Sequence, residues 1–251
     1  MDETKKLILT GGIAVNFALI LSGGTGSRLK GIDIPKQYYK VCGRMVICYC
    51  METIEQTDAA DAYLVVAAEE WREAILQEIR DGSKGNPSLG AKFRGFAEPG
   101  ENRQMSILNG LRAFSQMAGE EDLILVLDAA RPLTSAGLLE RCVAAAERAD
   151  GAMPALKMKD TVYYSTDGKQ IDALLERDKL LAGQAPEAFR YGAYLRANEA
   201  LTKEELLQIN GSSEPAVKAG LSIALVDGEE TNFKITTAED LRRFEKMMEE
   251  R

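Results

Sequence analysis

Three runs of apolar residues without internal polar alternation recur along the chain, at 17–21, 62–67 and 123–127. Unbroken apolar runs of this length, rich in Val, Ile and Leu, suit parallel strands covered on both faces. Between and after them the apolar positions fall at helical spacing, which predicts helices over residues 45–55, 69–79, 104–117 and 137–149. The last segment, 237–250, opens with Thr237 and Asp240 at the spacing of a capping box and predicts a surface helix. Residues 81–90 (DGSKGNPSLG) read as a loop. Strands alternating with helices predict an α/β fold with a mostly parallel sheet. Residues 157–183 break this rhythm. Thr161-Val-Tyr-Tyr is strand-like, Ser165 to Lys169 is a turn, and Ile171 begins another short element. That pattern predicts a hairpin, either an arm projecting from the sheet and suited to dimerisation or a surface flap.

The bulk composition narrows the function. With 251 residues, 45% of them hydrophobic and 28% charged, the chain can bury a full core, and residues 17–251 read as one domain. A net charge of −8 excludes a general nucleic-acid binder but not a small anionic substrate held in a local basic pocket. Cys42, Cys48, Cys50 and Cys142 lack the second pair and the histidines a structural zinc site would use, so they read as reduced core thiols. The absence of histidine also excludes Ser-His-Asp and Cys-His catalysis in their usual forms. Lys5 and Lys6 before the apolar stretch 7–21 imitate a secretory signal. Gly11, Gly12 and Asn16 interrupt that stretch, so residues 1–16 read as an extension or leader and the protein as cytoplasmic, with no membrane span.

Candidate chemistry gathers after the apolar runs. Ser22, Gly23, Gly24, Thr25, Gly26, Ser27 and Arg28 follow the first run, and Pro35-Lys36 comes shortly after. Glycines at the end of a parallel strand let backbone N–H groups close on phosphates, and Arg28 and Lys36 add positive charge. The turn fits neither common template: Ser27-Arg28 stands where a P-loop needs Lys-Ser/Thr, and Leu29 where a dinucleotide fingerprint needs a small residue. Asp128 ends the third run, at the strand end where ligands of parallel sheets bind, and is a candidate ligand of Mg²⁺. The plainer alternative is an Asp that caps the next turn and pairs with Arg131. Arg103, Ser106 and Gly110 share a helix face, which lets Arg103 and Ser106 reach one ligand. Lys234, between Phe233 and Ile235, reads as a strand residue, either turned inward to meet an anion or exposed on an edge.

Taken in order, SGGTGSRL, PKQY, RQMSILNGL, LDAARP, KDTV, GQAPEAFR and NFKITTAEDL resemble the cytidylyltransferases that act on methylerythritol phosphate and ribitol phosphate, over nearly the whole chain. The resemblance implies a Rossmann-like three-layer nucleotidyltransferase domain over 17–251, CTP and a polyol phosphate as substrates, Mg²⁺, and a homodimer built through the arm at 157–183. It implies that Arg28 and Lys36 hold the CTP phosphates, that Ser106 and the glycine loop read the cytosine with Arg103 in support, and that Asp128 binds the metal near the ribose. It further implies that Arg131 and Thr161 grip the polyol phosphate, that Arg177 reaches a partner subunit's site, and that Lys234 stabilises charge on the attacked phosphorus. Three positions depart from the family pattern: Leu127 replaces a usual His, residues 210–216 lack the methylerythritol enzymes' Thr-Asp-Asp/Glu-Ala-Ser, and Ala185 replaces a Thr. Residues 170–184 and 201–208 lean towards the ribitol phosphate branch. Two other readings stand beside this one: a nucleotidyltransferase of the same fold with another nucleotide or acceptor, and an inactive nucleotide-binding subunit.

Overall fold

The computed structural model describes residues 15–24, 34–83 and 89–250. Strands β1 (Asn16–Leu21), β4 (Ala62–Val66), β5 (Phe93–Ala97) and β6 (Leu123–Asp128) lie side by side and parallel in the order β5-β4-β1-β6. Beyond β6 the sheet continues with β11 (Glu187–Arg190), antiparallel to it, then β7 (Gly151–Lys157), which carries β10 (Leu181–Gly183) and β12 (Ile223–Asp227).

The two-residue period of a strand sorts side chains to opposite faces, and here both faces are apolar. Ala18, Ile20, Tyr63, Val65, Leu125 and Leu127 pack on one side against helices α1 (Val46–Glu55) and α4 (Ala136–Ala146), with Ile75 from α2 (Glu69–Ser83). Phe17, Leu19, Leu64, Val66, Ile124 and Val126 pack on the other side against α3 (Arg103–Phe114) and α5 (Tyr191–Glu199). The result is the three-layer, mostly parallel architecture. Helix α3 lies so close to β1 that a Cβ at Gly110 would overlap the Leu19 methyl groups, and this approach sets its first turn beside the end of the strand.

The hairpin forms from β8 (Tyr163–Tyr164) and β9 (Ala173–Leu174), paired antiparallel. A third cluster, with Val46, Tyr49, Ile235, Leu241 and Phe244, docks the closing helix α8 (Ala238–Glu249), whose Thr237–Asp240 capping box is present.

Three expectations need correction. Helix α2 runs on through Asp81 and Gly82 to Ser83, so the loop begins later than residue 81. Lys234 is not on a strand. Residues 232–236 form no ladder; Ile235 N–H donates to the Ala130 carbonyl and its side chain fills the α8 cluster, which explains the apolar alternation. Cys42 is not a core thiol but sits exposed in the turn between β2 (Lys40–Val41) and β3 (Arg44–Met45), at φ 48°. Cys48, Cys50 and Cys142 are buried as expected, and burial pushes each thiol up to about 12, which keeps it protonated and unreactive. Among the described residues no helix is long and apolar enough to cross a membrane.

Candidate active site

A cleft of about 450 Å³ opens at the carboxyl ends of β1 and β6, lined by Gly23, Gly24, Lys36, Arg103, Ser106, Asp128 and Lys234 among others. Its floor is the turn after β1. Ser22 is tied to β4 through N–H and Oγ bonds to the Val66 carbonyl, at 3.0 and 2.6 Å. Gly23 runs so close to Pro99 that an added Cβ would meet the Pro99 Cβ at 2.6 Å. A short 3-10 turn, Lys36–Tyr38, then folds back over this segment. Gln37 Nε2 donates to the carbonyls of Ser22 and Gly24, both at 2.6 Å, and Tyr38 Oη donates to the Ser22 carbonyl at 2.9 Å. Gln37 and Tyr38 therefore hold the start of the glycine turn, Ser22 to Gly24, and carry Lys36 into the cleft. Neither was a site candidate in the sequence, although PKQY carried the signal.

The wall is the first turn of α3. Asn102 caps it by accepting from Met105 N–H at 2.8 Å, and donates from Nδ2 to the Leu206 carbonyl of α6 (Lys203–Gln208). Ser106 Oγ is engaged locally, accepting from Gly100 N–H and donating to the Asn102 carbonyl, each at 2.9 Å. It shapes the rim of the cleft, and the positive end of the helix dipole points the same way.

At the centre is Asp128, 8% exposed. Arg103 grips its Oδ1 with Nε at 3.1 Å and Nη2 at 3.0 Å. Lys234 Nζ donates to Oδ2 at 2.9 Å, and Arg131 Nε stands 3.6 Å from the same oxygen. Burial alone would push this carboxyl up, but Arg103, Lys234 and Arg131 outweigh it and hold the group well below the usual carboxylate range. Asp128 is therefore charged throughout the neutral range. Its contribution to stability is present above the ordinary carboxylate pKa and is lost only as pH falls through the depressed value. The geometry includes the plain pairing with Arg131 and adds two further cations to it. Among the described residues, no group of three His, Cys, Asp or Glu side chains converges as a ready metal cage.

The structure brings Lys36, Arg103, Ser106, Asp128 and Lys234 together. Arg131 does not line the cleft; it lies largely buried beside Asp128 and donates through Nη1 to the Asn232 carbonyl. Thr161 is exposed at the base of the hairpin, and Arg177 Nη1 donates within the arm to the Lys159 carbonyl at 3.1 Å. Thr25, Gly26 and Arg28 lie outside the described residues.

A second buried carboxylate had no place among the sequence candidates. Glu187, on β11, is 6% exposed and accepts from Ser212 Oγ, while Ser212 accepts from Arg103 Nη1 at 2.7 Å. Burial pushes the Glu187 carboxyl up, although Ser212 and Arg103 pull against it. Between the ordinary and the raised pKa the native state holds more protons than the unfolded chain, so stability falls as pH rises through that window. Glu187→Gln is accordingly expected to raise Tm at neutral pH and to lose that gain as pH falls below about 4.3. Thermal denaturation across this range checks it, and an unchanged Tm at neutral pH would contradict it.

Residues 16–250 match the family described as 2-C-methyl-D-erythritol 4-phosphate cytidylyltransferase. The relative of that name from Geobacter metallireducens is 36% identical over 241 residues, covering 94% of this chain and 98% of the relative. A ribitol-5-phosphate cytidylyltransferase from Streptococcus agalactiae is 25% identical over 237 residues, covering 94% and 97%. The crystal structure of the Thermus thermophilus 2-C-methyl-D-erythritol 4-phosphate cytidylyltransferase superposes with a TM-score of 0.70 at 27% identity, covering 94% of this chain and all of that one. With sequence and fold in agreement over nearly its full length, the chain belongs to the 2-C-methyl-D-erythritol 4-phosphate cytidylyltransferase family.

Proposed function

We propose that this protein transfers the cytidylyl group of CTP to the phosphate of a polyol and releases pyrophosphate. The observation that carries the reading is the ring of Arg103, Arg131 and Lys234 closed on Asp128 beside Lys36 and the glycine turn, in a chain of this family. An oxygen of the acceptor phosphate attacks the α-phosphorus of CTP. The bond to the bridging oxygen breaks, and pyrophosphate leaves with the electron pair. The acceptor oxygen is already ionised at neutral pH, so no general base is required, which suits a cleft without histidine.

Catalysis then rests on alignment and on neutralising charge that grows during transfer. Lys36, with Arg28, receives the phosphates; Lys234 faces the attacked phosphorus; Ser106 and the glycine turn border the base. Arg131, Thr161 and a partner's copy of the Arg177 position serve the acceptor phosphate. Mg²⁺ takes one or two carboxylates and fills its remaining positions with phosphates and water. Asp128, whose oxygens already meet Arg103 and Lys234, and Glu101, paired with Lys203, line the cleft and would hold it only by giving up part of those pairs. The metal would supply charge neutralisation on the triphosphate.

Two further readings belong here. The first is that the protein works in the cytoplasm as a homodimer through the hairpin arm. Tyr163, Tyr164, Ile171, Leu174 and Leu181 are exposed on that arm, an apolar set that a second copy would cover. The second concerns the acceptor. The lean of residues 170–184 and 201–208 towards ribitol phosphate is outweighed by identity, which reaches 36% with a relative named for methylerythritol phosphate and 25% with one named for ribitol phosphate. Methylerythritol 4-phosphate is therefore the expected acceptor.

Pyrophosphate release with each of CTP, UTP, GTP and ATP, against each acceptor in turn, tests the reading. Release confined to CTP with methylerythritol 4-phosphate is expected. Faster release with another nucleotide would overturn the assignment of CTP, and release only with ribitol 5-phosphate would overturn that of the acceptor.

A further inference from the structure

We infer that Glu187 and Ser212 form a buried positioning pair that aims the Arg103 guanidinium into the nucleotide cleft. This rests on the cleft being the nucleotide site, and it assigns a role to two residues that the chemistry above leaves unused.

Placement comes from the sheet register. Glu187 on β11 lies opposite Val126 on β6, and Asp128 is the next residue of β6 on the same face. Two carboxylates thus flank Arg103 from neighbouring strands. Polarity comes from hydrogen bonding. A guanidinium only donates, so Ser212 Oγ accepts from Arg103 and turns its own hydroxyl proton to Glu187. Arg103 has five N–H donors. Nε and one from Nη2 go to Asp128, and one from Nη1 goes to Ser212, which leaves two on a side chain that is 31% exposed and lines the cleft. Asp128 alone would fix one edge of the fork and let it tilt; Ser212 fixes the other.

Ser212 is itself held. It is 1% exposed, and its carbonyl accepts from Tyr194 Oη at 2.7 Å. Tyr194 stacks on Phe189 of β11 with centroids 3.9 Å apart and takes a bond from Gln104 of α3. The pair, its loop and the helix that bears Arg103 are therefore one packed unit. Glu187 is poorly suited to stabilising the fold. Its Oε2 has no hydrogen-bond partner among the described residues, and a buried carboxylate with an unmatched oxygen costs stability. A costly group aligned on a cleft arginine has the character of a site residue.

The test is calorimetric titration of CTP, UTP, GTP and ATP, each with Mg²⁺, into the full chain and into Glu187→Leu, Glu187→Gln, Ser212→Ala and the Glu187→Leu/Ser212→Ala double variant, with Tm measured alongside. Glu187→Leu and Ser212→Ala are each expected to weaken the preferred nucleotide about tenfold, the worth of one charge-assisted bond. The double variant should bind about as weakly as either single one, because both break one chain of contacts. Glu187→Gln, whose amide oxygen still accepts from Ser212, should recover most of the affinity without loss of Tm. Should Glu187→Leu fail to fold, Ser212→Ala and Glu187→Gln carry the comparison. Affinity equal to the unmodified chain in the single variants, or losses that multiply in the double, would overturn the pair. A preference for a nucleotide other than CTP would overturn the assignment of CTP, and the pair would be judged by the same ratios with that nucleotide.

Discussion

Asp128→Asn is expected to cost about 3 kcal/mol of stability and to lower turnover about 10³-fold. The stability loss follows from the ion count. One carboxylate, 8% exposed, holds Arg103, Lys234 and Arg131 together, and a neutral amide leaves three like charges without their counter-charge. The penalty stays at the low end for a buried pair, because Arg103 and Lys234 keep 31% and 35% of their side chains exposed and water screens part of the repulsion. In a chain of this size such a loss lowers Tm by roughly 6–12 °C. The activity loss follows from geometry. Arg103 and Lys234 both take their direction from Asp128, so its removal frees two groups that must be aligned before reaction. Thermal denaturation together with pyrophosphate release measures both effects, and a wild-type Tm would show that the cations do not depend on Asp128.

Lys36→Ala and Lys234→Ala are each expected to lower turnover by about 10² or more while the protein remains folded. Lys36 rides on a turn fixed by Gln37 and Tyr38, so removing its side chain leaves Ser22 to Gly24 held in place. Lys234 is one of three cations on Asp128, and the two arginines remain when it goes. The loss should fall mainly on kcat, because both ammonium groups oppose charge that develops during transfer. Steady-state kinetics with Tm as the folding control decides this. Wild-type turnover in both variants would remove the lysines from the mechanism.

Much of this was legible in the chain because the physics was local. The runs at β1, β4 and β6 are apolar throughout, and a strand buried on both faces permits little else. The other half of the sheet was harder to read. β5 carries Arg94 and Gly95, β7 carries Pro154, and β11 begins with Glu187 and ends with Arg190. These strands are specified by their neighbours more than by their own composition. The opposite error occurred at Lys234, where Phe233 and Ile235 look like strand alternation but serve the packing of α8.

The site divides in the same way. Asp128 and Lys234 stood out because a charge next to apolar residues demands a partner, whereas Arg103, between Asn102 and Gln104, was singled out only by the helix face it shares with Ser106 and by the resemblance. The structure makes the three partners of one another. Glu187 and Ser212 did not, since they are 25 residues apart and meet only once β11 has joined the sheet. A glutamate flanked by Ala185, Ala188 and Phe189 was the available signal.

The most direct measurement of the central claim is a product balance: incubate the protein with CTP, Mg²⁺ and methylerythritol 4-phosphate, then quantify every phosphorylated species by mass. Transfer through this cleft predicts CDP-methylerythritol and pyrophosphate in equal amounts, formed in step with the loss of CTP. CTP consumed to CMP with no polyol product, or CTP left intact beside the acceptor, would contradict it.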